Sequence, residues 1–456
     1  MKDLTTGPVS AHILKMSGAQ LVSLLAGSIS SLVNIYWIGM LGTTAQAAAT
    51  LAAIPAMLVM ALLPIITVGA AILMSHAVGA KDQRRANIIF NEALGVTSAI
   101  VCVMAAVAWV NREAIGVVLA SHDETAALIA EYYTWFFPSM VAQVPVLIIA
   151  GAQAAIGNIR VSTIAQTGAM GLNVLLNPIL MFGWVGLPAF GISGSGMASL
   201  IAYTLPLLGL IIYSCHRGSY LSLMPQMWIA RPNELWSGLK LGLPVGLEGA
   251  VFAIYMFFIA VLIRPFGPIE VAAFGVGQRV LQAGLLPLLA LSSATAIIVG
   301  QNYGAGASDR IRESLKSSAA LALLIAPTLL AVFQLFPHWI LQRFSEDAGT
   351  IESGVLLLRI DSFSLIPVGL AYIIFSVLSG MGNTKPGLYC SAAYCLSIIA
   401  TSWCLSFLNG FSPVWIWKVM VVAALFQALV AALFLRYDFN RRGYIQPSFL
   451  AAGAKG

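Results

Sequence analysis

Long apolar stretches, broken at short intervals by a few polar or charged residues, pattern this chain from Ile13 to Leu435. Twelve of them are long enough to cross a bilayer: 13–41, 45–75, 87–110, 126–154, 161–185, 190–216, 236–264, 270–300, 316–342, 351–380, 387–409 and 413–436. A hydrocarbon core about 30 Å thick takes about 20 mainly apolar residues per helical crossing. Lipid offers no partner to a free peptide group, so each crossing is expected to be a helix. The expected fold class is therefore all-α, a polytopic membrane protein with 12 transmembrane helices. The first stretch is too long for the apolar core of a signal peptide and lacks a cleavage site, so it is expected to stay as the first membrane helix. The longest connection, 217–235, carries Pro225 and Pro232 and falls at mid-chain. It divides the chain into an N-terminal six-helix lobe at 1–216, a cytoplasmic linker at 217–235 and a C-terminal six-helix lobe at 236–456.

Composition agrees with a lipid solvent. Of 456 residues, 59% are hydrophobic and 9% charged, whereas a soluble surface needs about 25% charge. The net charge of +6 does not describe a nucleic-acid groove. It sits in small clusters between spans, such as Lys81, Arg84 and Arg85, and Arg310, Arg312 and Lys316. These are the marks of cytoplasmic loops. An even number of spans puts both termini on one side. That side carries 17 of the 23 Lys and Arg, including Lys2, Arg160, Arg217, Arg231, Lys240, Lys385 and Lys455. Arg112, Arg264, Arg343, Arg359 and Lys418 fall opposite. Both termini are expected in the cytoplasm, with the chain in a bacterial plasma (inner) membrane.

The two halves are related. Ala71, Ile72, Gly79 and Ala80 match Ala296, Ile297, Gly304 and Ala305 at a shift of 225, and the same shift carries Gly42 onto Gly267, Gly157 onto Gly382 and Asn158 onto Asn383. One offset across separated regions is hard to obtain by accident. Six spans per half make the repeat parallel, and the lobes pseudo-symmetric, with a substrate site expected between them near mid-membrane. Prolines inside spans (Pro55, Pro64, Pro138, Pro145, Pro287 and Pro367) offer bends or plain packing.

Ionisable groups in hydrocarbon cost at least ~2.5–3.5 kcal/mol and call for a reason. Glu248, in LGLPVGLEGAVF, lies about twelve residues into its span, roughly mid-depth. Arg279, on the next span, reaches a similar depth and is a candidate partner. The pair reads either as a static ion pair or as a switch linked to protonation or substrate. Asp361, beside Arg359, reads as an interfacial charge pair or as a transport residue. In the first half Asn34, Asn173, Asn177 and Ser199 bring three amides and a hydroxyl into the spans. Asn173 and Asn177 are four apart and share a helix face. Pro178 frees the carbonyl of Val174. Polar glue between helices and a small hydrated ligand site are both open readings.

Catalytic and cofactor chemistry has little footing. The five histidines show no metal-ligand spacing, the five cysteines form no C-x-x-C pair, and there is no Walker-type glycine loop. No catalytic residue, no resident metal and no cofactor are expected. Energy would come from a proton or Na+ gradient. The expected partners are a small-molecule substrate and the lipid bilayer, with no nucleic acid, and the chain is expected to work as a monomer.

GLNVLLNPILMFGWVGLPAFGISGSGMAS, GQNYGAG and SGMGNTKP resemble the multidrug and toxic compound extrusion (MATE) family, and the resemblance runs over essentially the whole chain. It implies two six-helix lobes, alternating access, and export of amphipathic, often cationic compounds in exchange for protons or sodium ions. The family's first-lobe cation site combines an aspartate in helix one, an asparagine and an aspartate in helix five, and a hydroxyl in helix six. The matching positions here are Asn34, Asn173, Asn177 and Ser199, with both carboxylates replaced by amides. Some members carry a helix-seven glutamate one turn later, at Phe252; others share the PVGLE pattern. The family's helix-ten aspartate falls nearer Val368 than Asp361. Coupling is therefore expected to rest on Glu248. Two other functions compete: a lipid-linked sugar flippase, which calls for more helices and a more cationic cavity, and a membrane scaffold with no transport cycle.

Overall fold

The computed structural model describes residues 3–120, 122–216, 219–228 and 231–444, with the backbone alone at 56 and 58–61. Lys2, Arg217 and Lys455, three of the basic residues used for orientation, lie outside the described residues, as do parts of the 217–235 stretch. The helices are α1 Val9–Met40, α2 Thr43–Gly79, α3 Gln83–Val110, α4 Arg112–Leu119, α5 Asp123–Ala155, α6 Ile159–Phe182, α7 Gly191–Cys215, α8 Pro232–Ile263, α9 Pro268–Gly304, α10 Ser308–Leu335, α11 Pro337–Leu341, α12 Ala348–Asp361, α13 Leu365–Gly380, α14 Lys385–Leu405 and α15 Pro413–Arg441. No strand occurs among the described residues. Twelve spans among them are long and apolar enough to cross a membrane. The chain is an all-α membrane protein. Helices α12 and α13, joined by a tight turn at Ser362–Ser364, make one span, Ala348–Gly380. The short α4 occupies the connection between the third and fourth expected spans, and α11 falls within the expected span 316–342, which the structure divides after Leu335.

Local chemistry explains the boundaries. Helices α8, α9, α11 and α15 open on proline, which is pre-set for the first turn and lacks only an N–H that would be orphaned there. The Asp82 carboxylate accepts from the Arg85 N–H at 2.9 Å, and Asp347 accepts from the Thr350 N–H at 2.7 Å, capping α3 and α12. Pro367, read as a mid-span breaker, stands instead in the first turn of α13. Large apolar side chains such as Leu32, Val103, Ile164, Leu396 and Val422 are exposed, as lipid-facing groups should be. Alanines, glycines and serines are frequent among the buried positions, alongside large side chains such as Trp417, Tyr133 and Phe90, and they allow the close backbone approach on which helix association in lipid depends.

The duplication is written into the backbone. Shifting by 225 carries α2 onto α9 and α3 onto α10 end for end, and carries α5 onto the range of α12 plus α13. It also pairs residues with positive φ: Gly42 (111°) with Gly267 (101°), Lys81 (60°) with Gly306 (70°), Gly157 (79°) with Gly382 (82°), and Val185 (64°) with Gly410 (83°). The turn bonds repeat as well. Asp82 N–H donates to Ala77 as Ala307 does to Asn302, and Asn158 N–H to Gln153 as Asn383 does to Leu378. Even a side-chain tie recurs: the Asn158 amide donates to the Tyr213 hydroxyl at 2.8 Å, and the Asn383 amide to the Asp438 carboxylate at 3.1 Å.

Contacts group the chain into two units. The first holds Asp3, Leu4 and Lys15–Gly246; the second holds Thr5–Leu14 and the residues from Leu247 on. Both α1 and α8 therefore begin in one unit and continue in the other.

Candidate functional site

Each unit holds a polar cluster within its spans. In the first unit, α6 and α7 present their polar residues to one another. The Asn173 amide donates to the Ser199 hydroxyl at 3.0 Å, and Ser199 donates to the Ser195 carbonyl at 3.0 Å. The Asn177 amide donates to the Asn173 carbonyl and side-chain oxygen, both at 2.9 Å, the geometry that a four-residue spacing sets up. Helix α1 closes the group, with the Ser195 hydroxyl donating to the Asn34 side-chain oxygen at 3.1 Å. The structure thus brings Asn34, Asn173, Asn177 and Ser199 together and adds Ser195. Asn173, Asn177, Ser195 and Ser199 are buried, and Asn34 is half-buried. The side-chain oxygen of Asn177 is buried without a hydrogen-bond partner. The cluster is neutral throughout: most of its dipoles satisfy one another, and none of these five residues is a carboxylate that could neutralise a bare cation.

The second unit carries the acids. Glu248, half-buried on α8, accepts from the Ser391 hydroxyl of α14 at 2.6 Å. Gly387 of α14 lies beside it, where an added Cβ would stand in ordinary contact, 3.6 Å from the carboxylate. Arg279 is not its partner. The Arg279 side chain is exposed on α9 and forms no ion pair among the described residues. Similar depth on consecutive helices does not bring two side chains onto facing sides. Asp361 is 6% exposed, at the end of α12, and accepts from the Gln278 amide of α9 at 3.3 Å. It forms no pair with Arg359, which is exposed; residues two apart on a helix do not face each other. Tyr255 of α8 and Tyr394 of α14, ring centroids 6.1 Å apart, both lie within electrostatic reach of Asp361. Cys395 of α14 feels Glu248 and is felt by both tyrosines. Glu248 and Asp361 therefore belong to one polar run through α8, α9, α12 and α14. Among the described residues no group of His, Cys, Asp and Glu is arranged to hold a metal ion.

The family model MatE matches residues 20–179 and again 244–403, one copy in each half. The chain belongs to the MATE family. MATE proteins are transporters, not enzymes, which agrees with the absence of a catalytic constellation. Among curated relatives, the multidrug export protein MepA of Staphylococcus aureus (strain MRSA252) is 23% identical over 452 residues, covering 98% of this chain and 97% of its own. MepA of Staphylococcus haemolyticus (strain JCSC1435) is 22% identical over 433 residues, covering 94% of each. Among solved structures, a MATE protein in the straight conformation superposes with a TM-score of 0.89 at 19% identity, covering 97% of this chain and 99% of its own. That likeness shows the fold.

Within this MATE chain, sequence reasoning missed Ser195, Ser391, Gln278, Tyr255 and Tyr394. Ser195 stands one helical turn before Ser199, so helical spacing alone could have found it. Ser391 lies 143 residues from Glu248, and no local pattern announces that contact.

Proposed function

We propose that this MATE chain is a cation-coupled antiporter. It exports amphipathic small molecules by alternating access across a bacterial plasma membrane, with both termini in the cytoplasm, and works as a monomer. The relatives named for multidrug export and the whole-chain family match support the substrate class and the direction. The observation that carries coupling is the contrast between the units. Glu248 is an acid in an apolar span whose side-chain bond among the described residues is to a neutral hydroxyl, while the first-unit cluster holds no charge. A carboxylate without a countercharge is met by a proton or a sodium ion, and an amide cannot take that role. Glu248 is therefore the coupling residue. Asp361 and its tyrosines extend the same polar run, and Asn34, Asn173, Asn177 and Ser199 serve as a neutral structural and ligand-contacting cluster.

Proteoliposomes loaded with a fluorescent cationic dye and given a proton or a sodium gradient, one at a time, test this. Export should follow one of the two gradients and disappear in Glu248→Gln. Export that continues in that variant under the same gradient would remove Glu248 from the coupling role. No flux under either gradient would favour a scaffold without a transport cycle.

A further inference from the structure

The described part of the connection between α7 and α8 is bound to α3 at several points from Tyr220 to Arg231. Helix α3 places Gln83, Asn87, Asn91 and Gly95 at intervals of four, on one face. Gln83 and Asn87 donate to the Tyr220 carbonyl at 2.9 and 3.0 Å, and Asn91 donates to the Ser222 carbonyl at 2.9 Å. In return the Ser222 N–H donates to Asn87 and the Met224 N–H to Asn91, each at 2.7 Å. Each asparagine thus reads the connection as a neighbouring strand would, taking one N–H and giving one amide hydrogen to a carbonyl two residues earlier. One residue further along α3, the Glu92 carboxylate accepts from the Arg231 N–H at 2.6 Å, directly before Pro232 opens α8. Asn87, Asn91 and Glu92 are all buried, and Gly95 leaves room for Trp228, whose Cβ would lie 2.6 Å from an added methyl.

The repeat places different residues at these positions. At a shift of 225 the same positions of α10 are Ser308, Arg312, Lys316, Ser317 and Ala320, with no asparagine among them. One element is shared: Arg85 reaches Glu234 at the start of α8 at 3.3 Å, and its counterpart Arg310 donates to the Gly7 carbonyl just before α1 at 2.9 Å. The lead-in to each repeat's first helix is gripped from the third helix of a repeat.

We propose that Asn87, Asn91 and Glu92 are positioning residues for transport. By binding residues 220–228 and Arg231 they make that part of the connection, and α8 as far as Gly246, one body with the first unit. The 217–235 stretch is then a strap and not a slack linker, and motion imposed on either end of α8 is transmitted without loss. The role rests on the transport reading above; the docking does not.

Hydrogen exchange of the full-length protein in nanodiscs, paired with dye efflux, tests both. In Asn87→Ala/Asn91→Ala the amides of Ser222 and Met224 should exchange about tenfold faster or more, since two bonds of ordinary strength are lost. Maximal efflux should fall by a similar factor with KM unchanged. Glu92→Gln, which keeps an acceptor for Arg231, should retain most activity, and Glu92→Ala should not. Unchanged exchange would overturn the docking, and faster exchange with full efflux would overturn the role. Should the double variant fail to fold, Asn91→Ala alone gives the same readings. No efflux from the unaltered protein would strike the transport reading and the role together, with the exchange data still reporting the strap.

Discussion

At the scale of single residues, what separates the two clusters is whether a side chain can carry charge. Asn177 takes the place of a carboxylate in the resembling family, and its side-chain oxygen is buried without a partner. Asn34 is the other such position. Placing acids at both positions, as Asn34→Asp/Asn177→Asp, should build a carboxylate-bearing cation site. In choline chloride the variant should melt below the unaltered protein, because two carboxylates would be buried beside neutral dipoles. Sodium should then raise its melting temperature, by an amount equivalent to about 2.7 kcal/mol at a hundredfold excess over Kd. The unaltered protein should show no such rise through this site. Thermal scans in the two salts check it, and equal sodium responses would mean that the amides already hold the ion. The residues of this cluster were legible from spacing: Asn173 and Asn177 are four apart on α6. The supposed Glu248–Arg279 pair was misread, since depth along a span says nothing of the direction in which a side chain leaves its helix.

At the scale of elements, α8 shows how glycine spacing becomes packing. Gly238, Gly242 and Gly246 lie at intervals of four and face α2. A Cβ on Gly242 would come within 1.8 Å of the Ile65 carbonyl oxygen, and one on Gly246 within 2.4 Å of the Ile65 side chain. At Gly242 backbone meets backbone, which neighbours cannot relieve by turning a rotamer. Gly242→Leu should abolish folded, monodisperse protein in size-exclusion chromatography, whereas Gly249→Ala, with nothing within 4 Å of the added carbon, should leave elution and efflux unchanged. Helix α12 makes a smaller, titratable prediction. The Asp347 carboxyl caps α12, and its bonds to Thr350 hold it below the ordinary value of 3.8. A folded-state value lower than the unfolded one contributes stability above pH 3.8 that is lost as pH falls through the depressed value. Asp347→Asn should therefore melt lower at neutral pH and converge with the unaltered protein in acid. The twelve spans were legible because lipid demands length and apolarity of each. The short α4 and α11 and the break between α12 and α13 were not, because nothing in their composition separates a far-side turn of helix from a loop.

At the scale of the whole molecule, the repeat predicts where the chain is strained. The shift of 225 pairs positive φ with positive φ, but at two positions only the second half has glycine: Lys81 faces Gly306, and Val185 faces Gly410. A left-handed conformation costs an L-residue about 1–2 kcal/mol, from the crowding of Cβ against the carbonyl. Valine bears this worst, because branching at Cβ leaves no rotamer clear of the backbone. Val185 is exposed and packs against little, so replacing it removes strain without opening a cavity. Glycine gives back about 0.5–1 kcal/mol through the freedom it gains in the unfolded chain. Val185→Gly should thus stabilise by up to about 1 kcal/mol, and Gly410→Val should destabilise by at least as much. Melting temperatures of the two variants, measured side by side, should move in opposite directions. The duplication itself was legible from glycines and asparagines recurring at one offset. The unequal cost at Val185 was not, because a sequence shows which residue stands at a turn and not the sign of its φ. Should Val185→Gly lower the melting temperature, the first half would hold this turn by contacts that the second half has replaced with glycine's freedom, and the repeat would be a likeness of path without a likeness of energetics.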